Sequence, residues 1–163
     1  MEKISRSCNL EIQAVPENLN ENLISLLKKL CETIKVPLED IQIQACRRVA
    51  KMNRSSKRPR NILVTVSSPR LRDTILSSYM RYNKAHAKEP LNSSHLDLQG
   101  ESCRIYMAEH FSPECKILHL KTRQTASEKN YKYVWVKYGR IYVRKDDHSG
   151  AILIKNEDNL VRL

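Results

Sequence analysis

Glycine is nearly absent from this chain, with 3 in 163 residues, and a G-x-x-x-x-G-K loop to cradle a phosphate is excluded with it. Cysteine is present without pattern. Cys8, Cys31, Cys46, Cys103 and Cys115 are an odd number with no C-x-x-C pair, and the last four lie on or beside apolar runs. They read as reduced, mostly buried thiols. Cys115 and His119 have helical i, i+4 spacing, but two further ligands are lacking, so no metal site and no cofactor is expected. The histidines (His86, His95, His110, His119, His148) are scattered, and Asp146-Asp147-His148-Ser149 reads as a turn with a local cap, so no catalytic constellation forms and no enzyme is expected. No N-terminal apolar region resembles a signal peptide and no run approaches membrane-spanning length. The expectation is an intracellular protein without a membrane partner, nuclear and cytoplasmic placement both open. Acidic residues are few: 18 against 29 Lys and Arg, a net charge of +11. That excess selects a polyanionic partner and says nothing about fold.

What is present alternates in a recognisable way. Residues 1 to 8 are polar. Leu10, Ile12 and Ala14 then alternate with Glu11 and Gln13 as a strand closed by Pro16. Asn18 and Glu21 resemble a capping box ahead of a helix whose apolar stripe is Leu23, Leu27, Leu30, Cys31 and Ile34, ending near Val36. Ile41, Ile43 and Ala45 make a second strand and Ile62 to Val66 a third. Ser68-Pro69 caps a second helix with Leu71, Ile75, Leu76 and Tyr79 on one side. His86 to Ser102 reads as a long loop, and Arg104 to Ala108 as a fourth strand. Ser112-Pro113 opens a third helix to about Lys129, with the narrow stripe Cys115, Leu118, Thr122 and Thr125. Ala151 to Ile154 and a short helix capped by Asn156 complete the chain.

Two stretches hold cations without one acid. Arg47 to Arg60 carries seven: Arg47, Arg48, Lys51, Arg54, Lys57, Arg58 and Arg60. With no acid among them, this loop is expected to keep its charge for an outside polyanion; Lys57 to Arg60 also fits the loose pattern of a nuclear localisation signal. The second stretch, Tyr131 to Lys145, holds five of the chain's aromatic residues, including the single Trp. Gly139 divides it into two alternating runs, a β-hairpin turning at Tyr138-Gly139. The register follows. Val136 faces Ile141 and Val134 faces Val143, while on the other side Trp135 meets Tyr142, Tyr133 meets Arg144 and Lys137 meets Arg140. One face suits a core. The other has the rings and cations that stack bases and hold phosphates, although Tyr133 and Trp135 could equally be packed inside.

The βαββαβ order of the first part resembles an RNA-recognition-motif fold. The run from Ile105 to Pro113 into a basic helix, the hairpin Tyr131 to Lys145, and Glu157-Asp158-Asn159-Leu160 resemble the baculovirus FP (few-polyhedra) protein family and its relatives in insect transposable elements. That family in turn resembles the first-open-reading-frame RNA-binding protein of LINE-type retrotransposons, and the likeness runs from Leu10 to Leu163. It implies an α+β chain: an RNA-recognition-motif-like domain over 8–111 and a small helix-plus-hairpin domain over 112–163. It also implies that both grip single-stranded nucleic acid. In the retrotransposon relatives the contacts come from basic residues at the start of the third strand, matched here by Arg58 and Arg60. Others come from the helix opening the second domain, where Lys116, Lys121 and Arg123 are the candidates. The long coiled coil that assembles those relatives has no counterpart before Leu10, which leaves self-association open.

Base-stacking aromatics are missing from both Leu10 to Val15 and Arg60 to Val66, so phosphate contacts rather than base reading should dominate. The function expected is nonspecific binding of single-stranded RNA or DNA, extending to a strand-annealing chaperone role, in a basic groove between the two domains. The residues expected to carry it are Arg47, Arg48, Arg58, Arg60, Lys116, Lys121, Arg123, Tyr133, Trp135, Lys137, Arg140 and Arg144. The alternative is a protein-interaction or assembly module with no nucleic-acid activity of its own.

Overall fold

A computed structural model describes residues 6–51 and 53–163. The first five of the polar residues 1 to 8, and Met52 in the basic loop, lie outside the described residues. The chain divides into two compact units, Met1–His110 and Phe111–Leu163, both mixed α+β with antiparallel sheets.

In the first unit, β1 (Asn9–Gln13), α1 (Leu23–Thr33), β2 (Ile43–Arg48), β3 (Ile62–Val66), α2 (Pro69–Ala85) and β4 (Tyr106–Glu109) follow in that order. The four strands form an antiparallel sheet in the order β2-β3-β1-β4. Period-two alternation sends Leu10, Ile12, Ile62, Val64 and Val66 inward, where they are buried with Leu27, Leu30 and Cys31 of α1 and with Ile75 and Tyr79 of α2. Each fully buried aliphatic side chain contributes about 2 kcal/mol.

The capping expectation for α1 moves by one turn. Its N-cap is Asn22, whose side chain accepts from the Ser25 amide at 3.1 Å. Glu21 does accept from the Asn18 amide, but that contact orders the turn before the helix and leaves Glu21 able to serve elsewhere. The helix ends as a Schellman motif: Val36 N–H donates to Cys31 O, Lys35 N–H to Glu32 O, and Lys35 takes φ 66°.

The stretch His86 to Ser102 is more ordered than a surface loop. Leu91 and Leu96 are fully or nearly fully buried. Ser93–Leu96 is a 3₁₀ turn capped by Asn92; Ile105 N–H donates to Leu91 O, and Ser93 N–H to Cys103 O. Leu91 and Leu96, five residues apart and so on neither a helical nor a strand period, supply the anchoring, with Leu98 packed beside them.

The second unit comprises α3 (Pro113–Glu128), β5 (Tyr133–Lys137), β6 (Arg140–Arg144), β7 (Ile152–Ile154) and α4 (Glu157–Val161). Its sheet order is β5-β6-β7. Ser112 caps α3 through the Cys115 amide, and Asn156 caps α4 through that of Asn159. Asn130, at φ 60°, closes α3 with a second Schellman motif, Tyr131 N–H donating to Ala126 O at 2.8 Å. Ile141, Val143, Ile154 and Leu160 form the buried core, flanked by Cys115, Leu118, Tyr131, Val134, Val136 and Leu163. On α3 the buried position after Thr122 is Ala126, with Thr125 only half-buried.

Among the described residues no helix is long and apolar enough to cross a membrane. The thiols divide by position. Burial pushes the Cys31 thiol up to about 12 and that of Cys46 to about 11, whereas Cys103 is exposed, contrary to the expectation of a mostly buried thiol beside an apolar run.

Candidate nucleic-acid interface

The hairpin of the second unit has the anticipated register: Tyr133 opposite Arg144, Val134 opposite Val143, Trp135 opposite Tyr142, Val136 opposite Ile141, Lys137 opposite Arg140. Tyr138 and Gly139, at φ 52° and 70°, make the type I′ turn that fits the twist of the strands. A tyrosine in the left-handed region is costly and Gly139 carries its own position without strain.

This register sorts the side chains by chemistry. The valines and Ile141 enter the core. On the opposite face Trp135, 36% exposed, stacks on Tyr142 with ring centroids 5.5 Å apart and planes 15° from parallel. Next along the face, the Arg144 guanidinium lies 4.7 Å over the Tyr133 ring and the Lys132 ammonium 5.1 Å over it. Toward the turn, Lys137 sits 5.4 Å over Tyr138, and Lys137 and Arg140 are both exposed. The rings thus lie on the outside of the sheet, which resolves the alternative that they fill the core.

Asp147 is the counter-charge on this face. Its carboxylate accepts from the Tyr133 hydroxyl, from Lys132 at 3.0 Å and from Arg144 at 3.3 Å. The Tyr133 and Lys132 donors hold its carboxyl below the ordinary range. The preceding Asp146 accepts from the His148 amide and the Ser149 hydroxyl, the local cap anticipated for this turn, and so fixes where Asp147 stands.

On α3, Arg123 is exposed and Lys116 half-buried, while Lys121 is ion-paired to Glu157 of α4. His119 is half-buried against Phe111, ring centroids 6.2 Å apart. Burial, with the Arg123 charge second, lowers its pKa below 6.5.

In the first unit the basic loop is less available than its composition implies. The Arg48 side chain is 5% exposed and pairs with Glu21 at 2.9 Å. It also donates to the carbonyls of Val15, Pro16 and Arg60. Arg48 is therefore a clamp joining the end of β2 to the chain after β1. Arg60 pairs with Glu17 at 2.7 Å. Each arginine holds its carboxyl partner below the usual range through a direct hydrogen bond. The acids come from 43 and 27 residues away in sequence, so a charge census of the loop misses them. Arg47 and Arg58 remain exposed.

The sheet of this unit carries one aromatic on its outer side that strand inspection passed over. Tyr106 of β4 is 45% exposed with the Arg104 guanidinium 5.1 Å over its ring. Glu11, between Leu63 and Ala108 on that side, is buried and accepts from Asn61 at 2.7 Å. An acid in the middle of the sheet disfavours phosphate there. Sequence reasoning also passed over Lys132, Tyr142 and Asp147. Tyr142 was signalled by the register and Asp147 by nothing local.

No curated protein matches this chain. Residues 112–163, which take in the second unit from the cap of α3 to the last residue, match the family model described as Baculovirus FP protein domain 2.

Proposed function

We propose that this protein binds single-stranded nucleic acid, RNA in the first instance, with little sequence preference, and that it can act as a strand-annealing chaperone. The observation that carries the reading is the outer face of the β5–β6–β7 sheet, a Trp135–Tyr142 stack bordered by Arg144 and Lys132 at one end and Lys137 and Arg140 at the other. Rings offer every base a π-face, and cations follow the backbone whatever its sequence. A net charge of +11 favours the encounter. Arg47, Arg58 and Arg123, exposed on β2, the basic loop and α3, are further phosphate contacts; Arg48 and Arg60 serve the fold first.

We also infer that the first unit is RNA-recognition-motif-like. The sheet order β2-β3-β1-β4, with a helix after β1 and another after β3, supports this, as the match to the baculovirus domain supports the family likeness. The relation to LINE-type retrotransposon proteins belongs to the same proposal. Titration with labelled oligouridylate and with a mixed-sequence strand of equal length tests the function. Similar affinities are expected; absence of binding, or a strong preference for one strand, counts against it.

A second reading, assembly through protein contacts, draws on Ile117 and Leu120 of α3, each about half exposed one helical turn apart. Partners that survive nuclease treatment in a pull-down favour that reading.

A further inference from the structure

We infer that Lys132, Tyr133 and Arg144 form an oxyanion site for one backbone phosphate of the bound strand, and that Asp147 occupies this site in the free protein. The inference rests on the nucleic-acid reading above and adds to it a specific site and an internal competitor.

Three donors of different kinds converge on the Asp147 carboxylate: an ammonium, a phenol hydroxyl and a guanidinium. A phosphodiester presents to such donors what a carboxylate does, two acceptor oxygens on one centre sharing a single negative charge. The donors are organised independently of the acid. Tyr133 and Arg144 are opposite one another in the β5–β6 ladder, and both Arg144 and Lys132 lie over the Tyr133 ring. The Arg144 Nη2 reaches Asp147 only at 3.3 Å and its enclosed Nε has no hydrogen-bond partner, so Asp147 satisfies the guanidinium poorly. The acid, by contrast, sits on the turn after β6, and its side chain is 56% exposed. Exchanging it for a phosphate requires only that this side chain swing away, leaving the sheet unmoved.

The charge balance permits the exchange. Lys132, Arg144 and Asp147 sum to a single positive charge, departure of the acid restores two, and a phosphodiester returns the cluster to one. An exposed ion pair is worth little in water, so the acid weakens the site without closing it. Trp135 and Tyr142 adjoin the cluster on the same face, placing a stacking surface beside the phosphate.

The test is a salt-dependent titration of the full chain with labelled oligouridylate, comparing wild type, Asp147→Asn and a control, Glu128→Gln, which removes the same charge from the exposed last turn of α3. Asp147→Asn should bind about two- to fivefold more tightly, and clearly more so than the control. The gain should disappear when Lys132→Gln and Arg144→Gln are also present. Equal or weaker binding by Asp147→Asn, or a gain that persists without the two cations, overturns the inference while leaving nucleic-acid binding intact. If neither wild type nor Asp147→Asn binds the strand at low salt, the functional reading itself falls. Circular dichroism of each variant separates loss of binding from loss of fold.

Discussion

Trp135 lies stacked on Tyr142 across the β5–β6 ladder, 5.5 Å between centroids, on the face of the hairpin that the core does not use. Two large rings held parallel on the outside of a small sheet bury less apolar area than they would inside. Their position makes sense when a third ring can be added to the stack. Trp135→Ala should therefore weaken binding of a single strand by at least about fivefold, since stacking is worth about 1–3 kcal/mol per base. Thermal stability should change little. As Trp135 is the single tryptophan, its fluorescence reports on the site directly: oligouridylate should quench it, and a base-free polyphosphate should not.

Arg48 is expected to behave differently from the other basic residues. It is enclosed, paired to Glu21 and bonded to three carbonyls, and truncation strands the Glu21 carboxylate in a largely buried position. Arg48→Ala should cost about 3 kcal/mol in chemical denaturation. Arg58→Ala, on the exposed loop, should leave the midpoint unchanged and weaken binding equally for all sequences.

Acid sensitivity of the second unit should depend in part on His119. Its folded pKa lies below the ordinary 6.5, so the unfolded chain takes up the proton first. The stability it supports is fully present above 6.5 and is lost as the pH falls toward the lowered folded value. His119→Gln should flatten the decline of the melting temperature just below that pH. An unchanged slope there would take His119 out of the acid response of this unit and leave it to carboxylates such as Asp146 and Asp147, whose lowered values act in a more acidic window, below 3.8.

The hairpin was legible in the sequence to the residue, because strict alternation fixes faces and a single Gly fixes the turn. Helix caps at Ser68, Ser112 and Asn156 were legible for the same local reason. What escaped was set by distance in the chain. Glu17 and Glu21 neutralise Arg60 and Arg48 from another segment. Leu91 and Leu96 are buried because α1 and the segment just before β4 come to meet them, and no period announces it. Asp147 reads as one more polar turn residue until the register places Tyr133 and Arg144 beside it. Tyr106 differs: it stands on β4, whereas stacking residues of an RNA-recognition-motif sheet are expected on β1 and β3.

The central claim, that charge on these surfaces engages a nucleic-acid backbone, is tested most directly by the salt dependence of the binding constant for wild-type protein and single-stranded RNA. The logarithm of the constant should fall linearly with the logarithm of salt, with a slope of about 0.7 for each phosphate neutralised. For a strand held by Lys132, Lys137, Arg140 and Arg144, that gives a slope of about 3. A flat dependence, or no binding at low salt, would contradict the account.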